Sequence, residues 1–327
     1  MSATGASADL TQAVKALARQ HGAVLVGVAP IERFDPLPPY YDRAPKGHDP
    51  RDFVPDARSV ISFAMPIMNP VTDAPAALLD EEVELVPPDV KQGYLETLYH
   101  VMGHRVHDYM LEFIGQIVGQ HLLLEGFDAM IFPTPGIHPR PPQFGGGGEE
   151  SMSERTIWNG PGGAWGKLFS PFGHSPGPFS HRHAATRAGL GEFGYNNLVL
   201  TPQFGARQRF SSIITEAELV PDPLIEKPIC RRDACRLCQK ACYMGVITMR
   251  DDPQVRDYRS VDVVHKEIIF IDTPAKSDPR LCDTRRHRML NPPVRGDCAR
   301  VCPIAKTKKR LPKRLQALVQ AQKGEQA

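Results

Sequence analysis

The chain has 327 residues, of which 41% are hydrophobic and 23% charged, and its formal net charge is +2 at pH 7. This composition is that of a globular protein of about two domains, which excludes a disordered chain. The near-neutral charge makes a nucleic-acid partner unlikely on electrostatic grounds. No apolar run approaches the ~18 residues of a membrane-spanning helix, and residues 1–22 contain no signal-peptide core. We therefore expect a cytoplasmic protein without a membrane span, whose oligomeric state the sequence leaves open.

The first elements predict a mixed domain of helices and strands. Asp9 can cap a helix whose apolar residues follow helical spacing and which ends at Gly22. Residues 23–29 and 59–65 are almost continuously apolar, which is typical of buried strands in a sheet covered on both faces. The sequence therefore predicts an α/β (α+β) domain, which we place at residues 1–220.

A long helix is predicted over residues 92–125, because its apolar residues recur at intervals of three and four. The same helix carries His100, His104 and His107, whose spacing would place three imidazoles on one face. A metal site is one interpretation. We favour ordinary half-buried histidines, because no carboxylate at a suitable offset completes a known helical metal motif.

Regular periodicity fails over residues 133–178, where the prolines and glycines of the chain cluster. A segment of this length without periodicity inside a compact domain is usually functional, so we expect it to line a ligand pocket. After it, the pattern predicts a helix over residues 180–188 that ends at Gly189. A hairpin is predicted to join residues 198–200 to residues 207–214.

All seven cysteines lie between Cys230 and Cys302, the latter followed by Pro303. The spacing is close to the two-cluster ferredoxin pattern, in which three neighbouring thiolates and a distant cysteine before proline share one cubane. We assign one 4Fe-4S cluster to Cys230, Cys235, Cys238 and Cys302, and a second cluster to Cys242, Cys282 and Cys298.

The second cluster lacks an obvious fourth thiolate, because Arg295 stands where a second CxxC would begin. It is either a 3Fe-4S cluster, or a 4Fe-4S cluster completed by Asp283, His287, Asp297 or a small ligand. Zinc and disulfides are the alternative interpretations of the cysteines. Zinc sites prefer paired CxxC motifs, and a reducing compartment disfavours disulfides.

We place the iron-sulfur domain at residues 221–312 and a basic C-terminal tail at residues 313–327. Lysines and arginines concentrate in residues 306–314. A solvated basic end is the favoured interpretation of this run. The alternative is a docking patch for an acidic electron donor, for which we expect reduced ferredoxin or flavodoxin.

The order of three segments resembles the superfamily of epoxyqueuosine reductases and reductive dehalogenases. The segments are VPDARSVISFAMP, AGLGEFGYNNLVLTPQFGARQRFSSIIT and the cysteine pattern that ends in CARVCP. AGLGEFG and PQFGAR are more similar to reductive dehalogenases than to the AGLGWIGKN of epoxyqueuosine reductases. Aligned on AGLG, Ser175 stands where epoxyqueuosine reductases carry a catalytic aspartate and His181 replaces a glutamate, which argues against a tRNA substrate.

The resemblance implies a nitroreductase-like, corrinoid-binding α/β domain followed by a ferredoxin-like domain with two iron-sulfur clusters. It implies an oxidoreductase in which the clusters pass electrons to cobalamin, which reduces a small-molecule substrate. Three alternatives remain: a flavin in place of the corrinoid, an enzyme like epoxyqueuosine reductase, and an iron-sulfur carrier or corrinoid-handling protein without its own substrate.

Site residues follow from the position of the AGLG segment. We expect the catalytic polar groups to be Tyr195, His181 and His183. We expect the cofactor to contact Ser175, Arg182, Gly189, Leu190, Gly191, Gly194, Asn196 and Asn197, since closely spaced glycines allow the backbone to approach a large flat ligand.

Overall fold

The computed structural model describes residues 3–35, 49–73, 102–103, 106–132, 179–242, 245, 247–249, 275–277, 296–304, 311 and 313–324. The helices and strands of the first part are α1 (Ala3–Gln20), β1 (Leu25–Pro30), β2 (Ser59–Pro66), α2 (Val106–Leu124), β3 (Ala129–Ile131), α3 (His181–Arg187), β4 (Glu192–Phe193), β5 (Val199–Leu200) and β6 (Gln208–Thr215). Those of the second part are α4 (Leu237–Ala241), β7 (Ile247–Met249), β8 (Ala275–Ser277), α5 (Asp297–Val301) and α6 (Lys313–Gly324).

A four-stranded sheet of order β1-β2-β6-β3 forms the centre of the first part. All three strand pairs are antiparallel, and β2 pairs with β6 along its whole length, from Ser59 opposite Thr215 to Pro66 opposite Gln208. The predicted mixture of helices and strands is confirmed, and the antiparallel pairing gives it the α+β form. The nitroreductase-like and ferredoxin-like details, and the domain boundaries, stay predictions.

Both faces of this sheet are covered. Val28, Ile61 and Ile213 pack against α1 and α2 on one face, whereas Val60 and Ile214 belong to a second core with α3 on the other face. Successive side chains of a strand point to opposite faces, so a strand buried on both sides needs an almost continuous apolar run. The structure confirms this prediction.

The first helix starts earlier than predicted. α1 begins at Ala3, so Asp9 lies inside it and is not its N-cap. Residues 3–8 have no apolar stripe, but alanines give this segment enough intrinsic helix propensity to extend the helix. Gly22 lies beyond the helix end with φ of +110°, a conformation that glycine adopts without strain.

His107 is a structural residue at the start of α2. Its side chain is buried, with Nδ1 2.8 Å from the carbonyl oxygen of Met102 and Nε2 2.9 Å from that of Pro66. Both ring nitrogens are therefore engaged by the backbone, which confirms the favoured interpretation for this histidine. His100 and His104 lie outside the described residues.

The predicted hairpin between residues 198–200 and 207–214 is wrong. β5 pairs with β4, whereas β6 pairs with β2 and β3. The turn between them closes locally through a bridge between Thr201 and Gly205. Turn residues identify a reversal of the chain but do not determine its strand partners, and the eight residues of β6 are paired instead with β2, far away in sequence.

The C-terminal helix packs onto the cysteine-bearing part. Leu315 in α6 is 1% exposed and lies in one apolar cluster with Leu237, Ala241 and Val301. Residues 313–324 of the predicted tail thus form a helix in which apolar residues at helical spacing are interspersed among basic ones. The interpretation of residues 306–314 as a solvated run stays a prediction, because residues 306–310 and 312 lie outside the described residues. Among the described helices, none has both the length and the apolar character needed to cross a bilayer.

Candidate metal centre and cofactor site

The four cysteines assigned to the first cluster line a single pocket with Tyr195. Cys230 and Cys235 flank a short 3-10 turn, Arg232–Ala234, while Cys238 lies in α4 and Cys302 directly follows α5. The structure thus brings a residue from the second cysteine group to three residues of the first. This is the grouping that the spacing predicted.

The chemistry of these four side chains fits an iron-sulfur cluster. Burial, together with the neighbouring Cys230, Cys302 and Cys235, raises the pKa of the Cys238 thiol to about 12. Four crowded thiols cannot all ionise without a compensating positive charge. A cationic iron core would supply that charge, because metals bind cysteine as the thiolate.

The backbone between the first two ligands also fits a cluster. Arg231 has right-handed helical angles, with φ −70° and ψ −4°, and Arg232 is left-handed, with φ of +48°. Successive N–H groups in this arrangement form a concave surface that binds anions, including the sulfides of many iron-sulfur sites. Arg236, directly after Cys235, is left-handed as well, with φ of +47°. The four residues between Cys230 and Cys235 therefore form this turn.

The two described cysteines of the second group lie against the first group. Cys242 and Cys298 pack with Tyr195 and Ile247 in a cluster that also contains Cys230 and Cys238. Two adjacent ligand sets are what a two-cluster protein requires. Cys282 lies outside the described residues.

Asp297 is one of the candidate ligands considered for the second cluster. Its carboxylate is 3.1 Å from Nη1 of Arg300, and both side chains are 2% exposed. This buried ion pair already engages Asp297. Asp283 and His287 lie outside the described residues.

Disulfides are absent from the described ranges, and zinc stays the alternative to iron-sulfur for these cysteines. The six cysteines of the described ranges are free thiols. Within those ranges, no three Cys, His, Asp or Glu side chains converge closely enough to hold a single metal ion.

The two candidate catalytic histidines lie on α3. Ser180 is the N-cap, and its side chain accepts a hydrogen bond from the His183 backbone N–H. The Ser180 hydroxyl is also 2.6 Å from Nδ1 of His183. His181 is buried, with Nδ1 3.1 Å from the hydroxyl of Ser212 on β6. Both rings are thus held in fixed orientations, and their catalytic roles stay predictions.

Arg182 lies on α3, and its side chain is exposed. Nη1 donates to the carbonyl oxygen of Asn197 at 2.8 Å, and the guanidinium lies 5.9 Å from the ring centroid of Phe193. The charge is therefore held in place at an exposed position.

The glycines of the AGLGEFG segment pack against the chain itself. A Cβ on Gly191 would be 2.2 Å from the carbonyl oxygen of Leu200, and one on Gly194 would be 2.7 Å from a methyl group of Leu200. Gly189 has φ of +72° and lies against the carbonyl of Pro223. These contacts explain the glycines without a ligand, so their role in cofactor binding stays a prediction.

The other residues predicted to contact the cofactor lie in different environments. Leu190 is half-buried and packs between the two cores on the α3 face of the sheet. Asn196 lines the cysteine pocket, and its side-chain oxygen accepts from the backbone N–H of Leu198 at 3.2 Å. Asn197 is left-handed, with φ of +56°. Ser175 lies outside the described residues.

Tyr195 lies on the cluster side of this segment. It is 8% exposed and packs against the cysteines. Burial, followed by a hydrogen bond with Asp233, raises the pKa of its hydroxyl, so Tyr195 stays protonated at neutral pH. Asp233 is in turn bound by Arg236, whose Nε donates at 3.0 Å. The predicted proton transfer by Tyr195 would therefore take place beside the cysteines.

Glu192 is a residue of the site that the sequence interpretation missed. One of its carboxylate oxygens accepts hydrogen bonds from the backbone N–H groups of both Ile229 and Cys230. The sequence signal that could have identified it is a charged residue inside the AGLGEFG segment, at the position where the AGLGWIGKN of epoxyqueuosine reductases has tryptophan.

Comparison with solved structures defines the class of fold. A reductive dehalogenase whose structure suggests a mechanism for B12-dependent dehalogenation matches 98% of this chain with a TM-score of 0.52 and 15% identity, and 36% of that chain is covered. At this identity the likeness shows a shared fold. An epoxyqueuosine reductase in complex with a tRNA stem loop matches 92% of this chain with a TM-score of 0.47 and 15% identity, and 66% of that chain is covered. The weaker match supports no further argument.

Comparison with curated proteins identifies particular relatives. This chain is 42% identical over 74 residues to the tetrachloroethene reductive dehalogenase of Desulfitobacterium hafniense, a match covering 22% of this chain and 13% of that protein. The same values hold for the enzyme of Dehalobacter restrictus. No family model matches the chain. The resemblance to this superfamily is confirmed, and the match covers only a small part of these longer relatives.

Proposed function

We propose that this protein is an oxidoreductase of the reductive dehalogenase kind that uses cobalamin and two iron-sulfur clusters to reduce a small organohalide. The observation that carries the proposal is the convergence of Cys230, Cys235, Cys238 and Cys302 beside the AGLGEFG segment. A reduction of this class is R–X + 2 e⁻ + H⁺ → R–H + X⁻. The protein must therefore deliver two electrons and one proton to the same place.

The arrangement of the residues supports the electron part. When bound, the clusters supply electrons one at a time and cobalamin supplies the reducing centre. Tyr195 and Asn196 border the cysteine pocket, and Phe193, two residues before Tyr195, packs 4.9 Å from the ring of His183. The segment therefore joins the cysteines to the α3 face within a few residues.

Arg182 and Asn197 support a cofactor on the α3 face. The guanidinium of Arg182 is exposed and is fixed by the Asn197 carbonyl, so it is available to a ligand with phosphate or amide oxygens. A corrinoid carries both groups. We assign the remaining contacts to Ser175, Leu190, Asn196 and Gly189, Gly191 and Gly194.

The proton would come from His181 or His183 on α3, or from Tyr195 on the cluster side of the AGLGEFG segment. Each is positioned by a partner, Ser212 for His181, Ser180 for His183 and Asp233 for Tyr195. A donor needs a fixed orientation as well as a suitable proton affinity. Reduced ferredoxin or flavodoxin is the proposed electron source.

Halide release by the isolated protein tests the proposal. Protein reconstituted anaerobically with iron, sulfide and hydroxocobalamin would be reduced with titanium(III) citrate and given chlorinated and brominated substrates. We expect stoichiometric halide, and none above background from Cys302→Ser, which lacks one cluster ligand. Both cofactors bound without halide release from any substrate would instead indicate an electron carrier or a corrinoid-handling protein.

A further inference from the structure

We propose that Glu192 is a positioning residue that fixes the Cys230 loop to the AGLGEFG segment and holds the potential of the adjacent cluster low. This inference rests on the iron-sulfur part of the proposed function. It assigns a task to a side chain that ligates nothing itself.

The contacts of Glu192 are short and specific. Oε1 accepts from the backbone N–H of Ile229 at 2.7 Å and from that of Cys230 at 2.6 Å. Hydrogen bonds to an ionised carboxylate are shorter and roughly twice as strong as those between neutral groups. Oε2 lies 3.7 Å from Nη2 of Arg232, a partly exposed pair that adds little. The two backbone contacts are therefore the principal interaction of this side chain.

The element that carries Glu192 is rigid. β4 pairs with β5, Glu192 opposite Leu200 and Phe193 opposite Val199. The Leu200 carbonyl fills the space beside Gly191, so this turn has no room to shift. Glu192 and Phe193 point to opposite sides of the strand. Phe193 contacts the α3 side, and Glu192 therefore transmits that fixed position to the first cluster ligand.

The Cys230 loop has less support of its own. Arg231 and Arg232 are exposed, and Arg232 holds a left-handed conformation. A non-glycine residue in this conformation persists only when its surroundings enforce it. The carboxylate of Glu192 is such a constraint at the start of the loop, because it fixes the amides of two successive residues.

Glu192 also acts electrostatically on the cluster. Its negative charge lies next to a ligand, and it occupies two N–H groups that could otherwise donate to sulfur. Net charge and hydrogen bonds to sulfur are two of the factors that set the potential of such clusters. A negative charge disfavours adding an electron, and so does the loss of donors to sulfur. Both effects lower the midpoint potential.

Three variants separate anchoring from charge. Glu192→Gln keeps an acceptor oxygen but removes the charge, so we expect normal iron loading and a more positive midpoint potential. Glu192→Ala removes the anchor, and we expect the cluster to be lost to a chelator about tenfold faster, the lower end of the effect of outer-shell partners on metal affinity. Glu192→Asp keeps the charge on a shorter arm and should restore much of the potential but not the retention.

Glu226→Gln is the matched control. It removes the same charge four residues before Cys230, and Glu226 is exposed. Potentials would be measured by redox titration followed by electron paramagnetic resonance, without any substrate. A shift in Glu192→Gln that exceeds the shift in Glu226→Gln supports the inference.

Two outcomes overturn the inference and are distinguishable. If wild-type protein holds clusters and Glu192→Gln leaves the potential unchanged, this inference fails while the proposed function stands. If wild-type protein takes up no iron after reconstitution, the proposed function fails and this inference with it. Should Glu192→Ala fail to fold, the potential of Glu192→Gln decides.

Discussion

Removing the carboxylate of Asp73 should destabilise the protein strongly, because Asp73 forms a buried ion pair with Arg207. The two side chains are each 3% exposed, and Nη2 of Arg207 lies 2.9 Å from the Asp73 carboxylate. Arg207 comes from the end of the turn before β6, and Asp73 from the helical residues 69–73. In Asp73→Ala the guanidinium would remain buried without a counter-charge.

The magnitude follows from the remaining partners of Arg207. In Asp73→Ala, the Arg207 guanidinium would still donate to the side-chain oxygen of Asn69 at 2.6 Å and to the carbonyl oxygen of Arg300 at 3.4 Å. Neither of these oxygens carries a charge. Removing one member of a buried pair costs about 3–5 kcal/mol. The effect should also reach the cysteines. Arg300 lies in α5, two residues before Cys302, and its side chain donates to the carbonyl oxygen of Thr72, the neighbour of Asp73.

Urea unfolding of the iron-free protein, followed by circular dichroism, measures the loss. Asp9→Ala, an exposed change in α1, is the control and should stay within about 0.5 kcal/mol of wild type. A double variant, Asp73→Leu with Arg207→Met, should be more stable than Asp73→Ala because it leaves no buried charge. A loss below about 1 kcal/mol in Asp73→Ala would refute the reasoning.

Two further changes probe the second part of the chain. Leu315→Ala should cost about 2–5 kcal/mol in unfolding free energy and loosen α6, since it leaves a cavity at a fully buried site. The control Ala317→Ser, at an exposed position of the same helix, should have almost no effect, and equal stability of the two variants would contradict the packing. Cys302→Ser should lower the iron content of reconstituted protein by roughly half, because only one of two clusters loses a ligand; undiminished iron would contradict the assignment.

The sequence predicts those features that depend on local pattern. Apolar runs in β1 and β2 correctly indicate a sheet buried on both faces, because the side-chain period of a strand is local information. The helix predicted over residues 180–188 is found at His181–Arg187, because a helix-ending glycine is a local signal. The convergence of Cys302 with Cys230, Cys235 and Cys238 is non-local, and it was predictable only because cluster geometry restricts cysteine spacing.

Features that depend on distant partners could not be read from the sequence. The pairing of β6 with β2 and the burial of Leu315 both result from contacts that local propensity does not encode. Glu192 is the clearest case among the site residues. Its role depends on backbone amides nearly forty positions further along the chain, which no spacing rule would have connected to it.

Cofactor retention tests the central claim most directly. Protein reconstituted with iron and sulfide would be incubated separately with hydroxocobalamin and with flavin mononucleotide, freed of unbound ligand by gel filtration, and examined by absorbance spectroscopy. We predict retention of about one cobalamin per chain, in the base-off form, and weaker retention by Arg182→Ala. Retention of flavin with no cobalamin would contradict the account.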